Sequence, residues 1–61
     1  MKYAKITEYE DPLGSGKYSI IVIYNGIGSK LEEVELDINE SLVYLAKLNF
    51  IPISETFFYL S

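Results

Sequence analysis

The chain has 61 residues, nine acidic side chains against five basic ones, a net charge of −4, and neither cysteine nor histidine. Disulfides, thiolate metal sites and the usual zinc and iron ligand sets are therefore excluded, and at this length there is room for one domain that hides only about 60% of its unfolded surface. All five cations are lysine, so the bidentate guanidinium contacts typical of phosphate and guanine recognition are missing and direct nucleic-acid binding is not expected.

In chain order, Lys2 to Tyr9 reads as a first strand, with Ala4 and Ile6 on one face and Tyr3, Thr7 and Tyr9 on the other. The stretch Glu10 to Gly16 is dense in turn formers and leads into Lys17 to Tyr24, where Tyr18, Ile20, Val22 and Tyr24 share one face and Ile21 and Ile23 the other. Apolar residues on both parities suit a central strand. Asn25-Gly26, extended by Ile27-Gly28-Ser29, is a hairpin signal returning the chain to a third strand, Leu31 to Asp37. Leu31, Val34, Glu35 and Ile38 also fit helical spacing, so a long helix beginning at Lys30 is the competing reading.

A helix is expected next. Asp37 or Asn39 can cap it, Asp37 and Glu40 have the form of a capping box, and Ile38, Leu42, Leu45 and Asn49 lie on one helical face. Asn49 is the expected stop because asparagine tolerates the left-handed backbone. Phe50-Ile51-Pro52 then turns the chain into a last strand, Ser54 to Leu60, where Phe58 and Leu60 oppose Phe57 and Tyr59. The expected fold is a single α+β domain over residues 1–61: a small antiparallel three- to four-stranded sheet, one helix packed on one face, order βββαβ.

The charge is concentrated. Lys30 to Glu40 holds five acids, Glu32, Glu33, Glu35, Asp37 and Glu40, against one lysine, while acids and lysines balance elsewhere. On a strand, Glu33, Glu35 and Asp37 project from one face and Val34, Leu36 and Ile38 from the other. An acidic patch of this kind meets a basic partner surface, or serves only to keep an exposed strand soluble.

Motifs for chemistry fail on inspection. Gly14-Ser15-Gly16-Lys17 lacks the glycine and the hydroxyl residue that a phosphate loop requires, and a strand, not a helix, follows it. Gly26 and Gly28 begin a G-x-G whose third glycine is replaced by Leu31. Carboxylates about 7 Å apart on a solvated strand face have nothing to dry them, and so short a chain has little material to wall in a substrate. No enzyme, cofactor or metal is expected, and neither is a membrane segment, because the longest aliphatic run is Ile20 to Ile23. A cytoplasmic location follows as the expectation.

The remaining signal is aromatic. Six tyrosines and three phenylalanines make up 15% of the chain. One short helix can cover only one face of the sheet, which leaves Tyr3, Tyr9, Ile21, Ile23, Phe57 and Tyr59 as a candidate open face for a partner. Together with the acidic residues, this face points to a non-enzymatic protein-interaction module binding a partner with a basic surface. In size, charge and cysteine-free composition the chain resembles the small acidic inhibitors and modulators carried by phages and mobile elements, whose targets include nucleic-acid-processing enzymes. The alternative is self-assembly through the aromatic face, as a homodimer or larger oligomer.

Overall fold

Runs of β-branched and aromatic residues favour extended backbone, and the computed structural model, which describes residues 1–14 and 16–61, is dominated by strands. β1 (Lys2–Glu10) and β2 (Lys17–Asn25) form an antiparallel hairpin, followed by β3 (Lys30–Asp37), a seven-residue helix α1 (Ser41–Lys47), and two short strands, β4 (Ile51–Pro52) and β5 (Phe57–Leu60). They build one five-stranded antiparallel sheet in the order β3-β2-β1-β5-β4. The first three strands and the helix match the sequence reading, and the long-helix alternative at Lys30 is ruled out. β4 is an addition: the expected turn at Ile51-Pro52 pairs with Tyr59 and Phe58 at the sheet edge, where a proline leaves no ladder bond unmade. The last strand also starts later than expected, because the Ser54 hydroxyl accepts the amides of Thr56 and Phe57 and holds this segment in a turn.

The loops follow local chemistry. Between β2 and β3 the Asn25 side-chain oxygen accepts the amides of Ile27 at 3.1 Å and Ser29 at 2.9 Å, and Gly28 takes the positive φ of 89° that closes the turn. After β1, Asp11 accepts the Leu13 amide on its side chain and the Gly14 amide on its carbonyl. Ser15, in the turn-rich stretch and the phosphate-loop look-alike, lies outside the described residues.

The core is formed by Ala4, Ile6, Ile21, Ile23 and Phe58 from the sheet with Leu45 of α1 and Phe50 just beyond it; Leu36, Tyr44 and Leu60 pack against this cluster. Burying a side chain of this size contributes roughly 1.5–3 kcal/mol. At the N-terminal end of α1 the expected cap is not made. Glu40 occupies the N-cap position without a side-chain cap bond, while the Asp37 carboxylate accepts the Asn39 amide and so tightens the turn ahead of the helix. Leu42, expected on the buried face, is 60% exposed.

The helix stop is as expected. Asn49 adopts φ 68°, its amide bonds to the Ala46 carbonyl, and the Phe50 amide bonds to the Leu45 carbonyl. This double bond pattern is a Schellman motif, and its customary apolar contact is supplied by the buried pair Leu45 and Phe50.

Candidate functional site

Residues directly opposite one another in an antiparallel pair project from the same face. The β1–β2 register pairs Tyr3 with Tyr24, Lys5 with Val22, Thr7 with Ile20 and Tyr9 with Tyr18. β5 adds Tyr59 beside Tyr3 and Phe57 beside Lys5, and β4 adds Ile51 beside Tyr59. On the other flank β3 places Glu33 beside Val22, Glu35 beside Ile20 and Asp37 beside Tyr18.

The result is a grid. One row reads Ile51, Tyr59, Tyr3, Tyr24, Lys30; the next reads Phe57, Lys5, Val22, Glu33; the third Thr7, Ile20, Glu35; the last Tyr9, Tyr18, Asp37. None of these residues is buried, with Tyr9 44% and Phe57 39% exposed, whereas the opposite face holds the whole core. The Tyr9 and Tyr18 rings stack with centroids 5.5 Å apart and planes 19° from parallel. Tyr3, Tyr24, Gly28 and Phe57 line a shallow hollow of about 300 Å³ at the aromatic end.

Of the expected face residues, Tyr3, Tyr9, Phe57 and Tyr59 are brought together, but Ile21 and Ile23 are not. They lie in the core, 0% and 4% exposed. The reason is register. Each β1–β2 pair joins an odd-numbered residue to an even-numbered one, so the tyrosine parity of β1 shares a face with Tyr18, Ile20, Val22 and Tyr24 of β2. These four belong to the face in place of the isoleucines. The signal was present in the sequence: one hairpin register pairs both Tyr9 with Tyr18 and Tyr3 with Tyr24. Two cations share the grid: Lys5 beside Val22, and Lys30 beside Tyr24 at the end of the β3 column.

The acidic residues divide. Glu33, Glu35 and Asp37 form a column along the flank of the open face, as expected from their spacing, while Val34 and Leu36 turn toward the core side. Glu32 stands opposite Ile23 on that side, and its carboxylate accepts the Tyr44 hydroxyl at 3.4 Å. Loss of solvent around the Tyr44 phenol, and then the neighbouring Glu32 charge, push its pKa above the ordinary tyrosine value. Glu40 borders a separate hollow of about 370 Å³ with Leu36, Val43, Tyr44 and Lys47. Within the column, Lys30 pairs with Glu33 at 3.5 Å across solvent, an interaction worth well under 1 kcal/mol, and the column stays net negative.

Aromatic rings and β-branched side chains offer apolar area, tyrosine hydroxyls offer a wet rim, and one flank carries like charge. Among the described residues no group of three or more carboxylates converges as a metal site, and no helix is long and apolar enough to cross a membrane. No protein-family model, curated protein or solved structure matches the chain.

Proposed function

We propose that this protein is a non-enzymatic interaction module that docks on a larger protein through its open sheet face. The observation that carries the reading is the grid itself: an apolar field from Tyr3 to Tyr24 and from Tyr9 to Tyr18, left half-exposed beside the column Glu33, Glu35 and Asp37. Apolar area of this kind supplies affinity, and the acidic flank steers and orients a basic partner. A modulator or inhibitor of a protein with a basic, nucleic-acid-binding surface, acting in the cytoplasm, fits this chemistry.

Self-assembly is the second reading, favoured by the aromatic run Ile51, Tyr59, Tyr3 and Tyr24, which Lys30 closes on the β3 side. Charge weighs against it. A two-fold axis across the strands stacks β3 on β3 and opposes like carboxylates; one along the strands lays β3 over the short strands and buries its carboxylates on Ile51, Phe57 and Tyr59.

The test compares the native chain with Val22→Ser and Tyr24→Ser variants in capture from the native host, alongside light scattering of the pure protein. A monomer that retains one cellular protein in a salt-sensitive way, and loses it on either substitution, supports docking. A salt-insensitive dimer at micromolar concentration that either substitution dissociates supports self-assembly. Capture unchanged by both substitutions sinks the open-face reading.

A further inference from the structure

The open face has the dimensions and charge order to receive one particular kind of partner element, and we infer that it binds an amphipathic α-helix with a basic flank. This rests on the docking reading above and specifies its occupant. An α-helix is 10–12 Å across with its side chains, and neighbouring strands are about 4.8 Å apart, so a helix laid along β2 spans the width from β3 to β1. Beneath it would run Tyr18, Ile20, Val22 and Tyr24, a continuous apolar column. To one side stand Glu33, Glu35 and Asp37, with Lys30 beyond Glu33, level with Tyr24 at the end of the column. The carboxylate spacing along the strand is roughly 6.6 Å per step, close to the 6.0 Å rise between helix positions i and i+4. Lysine or arginine at i, i+4 and i+8 of the partner therefore meets the carboxylates in step. On the other flank Lys5 is level with Glu33, across Val22, and calls for an acidic or neutral polar side chain. An 18-residue helix is about 27 Å long, which matches the roughly 30 Å run of a nine-residue strand such as β2.

Other occupants fit less well. A strand added to the outer edge of β3 would contact the carboxylates but leave the β2 column as open as before. A second copy brings carboxylates against carboxylates or against rings, as set out above. An acidic or purely apolar helix leaves the β3 column without counter-charge.

The experiment titrates the isotopically labelled full chain, by NMR at 150 mM salt, with a synthetic 18-residue peptide bearing a leucine stripe and lysines at i, i+4 and i+8 on one flank. A shuffled peptide of identical composition and an extended peptide of alternating lysine and isoleucine serve as comparisons. The expected result is saturable shifts centred on β2 and on Glu33, Glu35 and Asp37, a gain of helicity in the peptide, and affinity at least tenfold above that of the shuffled peptide. The triple variant Glu33→Lys, Glu35→Lys, Asp37→Lys, shown to be folded by its own spectrum, should lose at least tenfold in affinity for the lysine peptide and bind the glutamate counterpart instead. Equal binding by the shuffled peptide, preferential binding of the extended peptide along β3, or no saturable binding of the helical peptide each overturns the inference. The broader docking reading is judged separately, by whether Val22→Ser and Tyr24→Ser release the host partner.

Discussion

The side-chain hydroxyls of Ser19 and Ser41 hydrogen-bond to each other in the interior, joining the third residue of β2 to the first residue of α1. Ser19 is 0% and Ser41 2% exposed, and each also reaches a backbone carbonyl at 3.4 Å, that of Leu36 and that of Asp37 respectively. Two polar groups thus sit beside an otherwise apolar core because each satisfies the other.

Removing one hydroxyl should cost more than half the price of removing both. Ser41→Ala leaves the Ser19 hydroxyl buried with one long bond and is expected to destabilise by about 1–2 kcal/mol, whereas the double change to alanine should cost less than the sum of the two single changes. Urea unfolding of the four-member cycle measures the coupling. Strict additivity would show that the bond contributes nothing.

Asn49 tolerates its left-handed backbone at a cost that glycine avoids. Asn49→Gly should be neutral or slightly stabilising, and Asn49→Ala should destabilise by roughly 1 kcal/mol, which for a domain of this size lowers Tm by about 4–8 °C. Thermal unfolding followed by circular dichroism decides it. A more stable alanine variant would mean that the Schellman geometry does not govern the helix end.

The two faces of one strand should respond oppositely. Ile21→Ala opens a void in the fully buried core and is expected to cost about 2–5 kcal/mol, a large part of the whole stability of so small a domain. Val22→Ser, one residue along on the open face, should leave the fold intact, with a change within about 1 kcal/mol, and act on binding instead. The measurement is denaturant unfolding beside partner capture. A severe stability loss at Val22 would place that side chain in the core.

Tyr44 should ionise above the ordinary tyrosine value. Its pKa is raised in the fold, by desolvation first and by Glu32 second, so its contribution to stability is complete below the unfolded value near 10 and is lost as pH rises through the higher folded value. NMR titration of the Tyr44 ring carbons should show a midpoint above the ordinary tyrosine value, and Glu32→Gln should bring that midpoint down. A midpoint unmoved by that change would leave desolvation as the whole cause.

Much of the architecture was legible because period-two patterns and turn chemistry act locally. The hairpin at Asn25-Gly26, the strand Lys30–Asp37 and the stop at Asn49 each depend on residues within a few positions of one another. The face assignment of Ile21 and Ile23 was not legible from β2 alone, since both of its parities are apolar; only the odd-to-even pairing with β1 decides it. β4 was missed for a related reason. Two residues carry no periodicity, and Ile51-Pro52 becomes a strand only because Phe58 and Tyr59 are there to pair with it. Of the expected contact residues, Glu33, Glu35 and Asp37 keep a common face because β3 alternates over them, while Glu32 and Glu40 are near them only in sequence and stand elsewhere in the fold.

The alternation along β1 and β2 has a consequence for how such a chain changes over generations. Neighbouring positions answer to separate demands: Ala4, Ile6, Ile21 and Ile23 keep the molecule folded, while Tyr3, Thr7, Ile20 and Val22 are free of that duty. On the docking reading proposed above, drift in the second set retargets the molecule without passing through unfolded ancestors. In a lineage built on this sheet, the outward letters of two short words can be rewritten while the inward ones stay fixed.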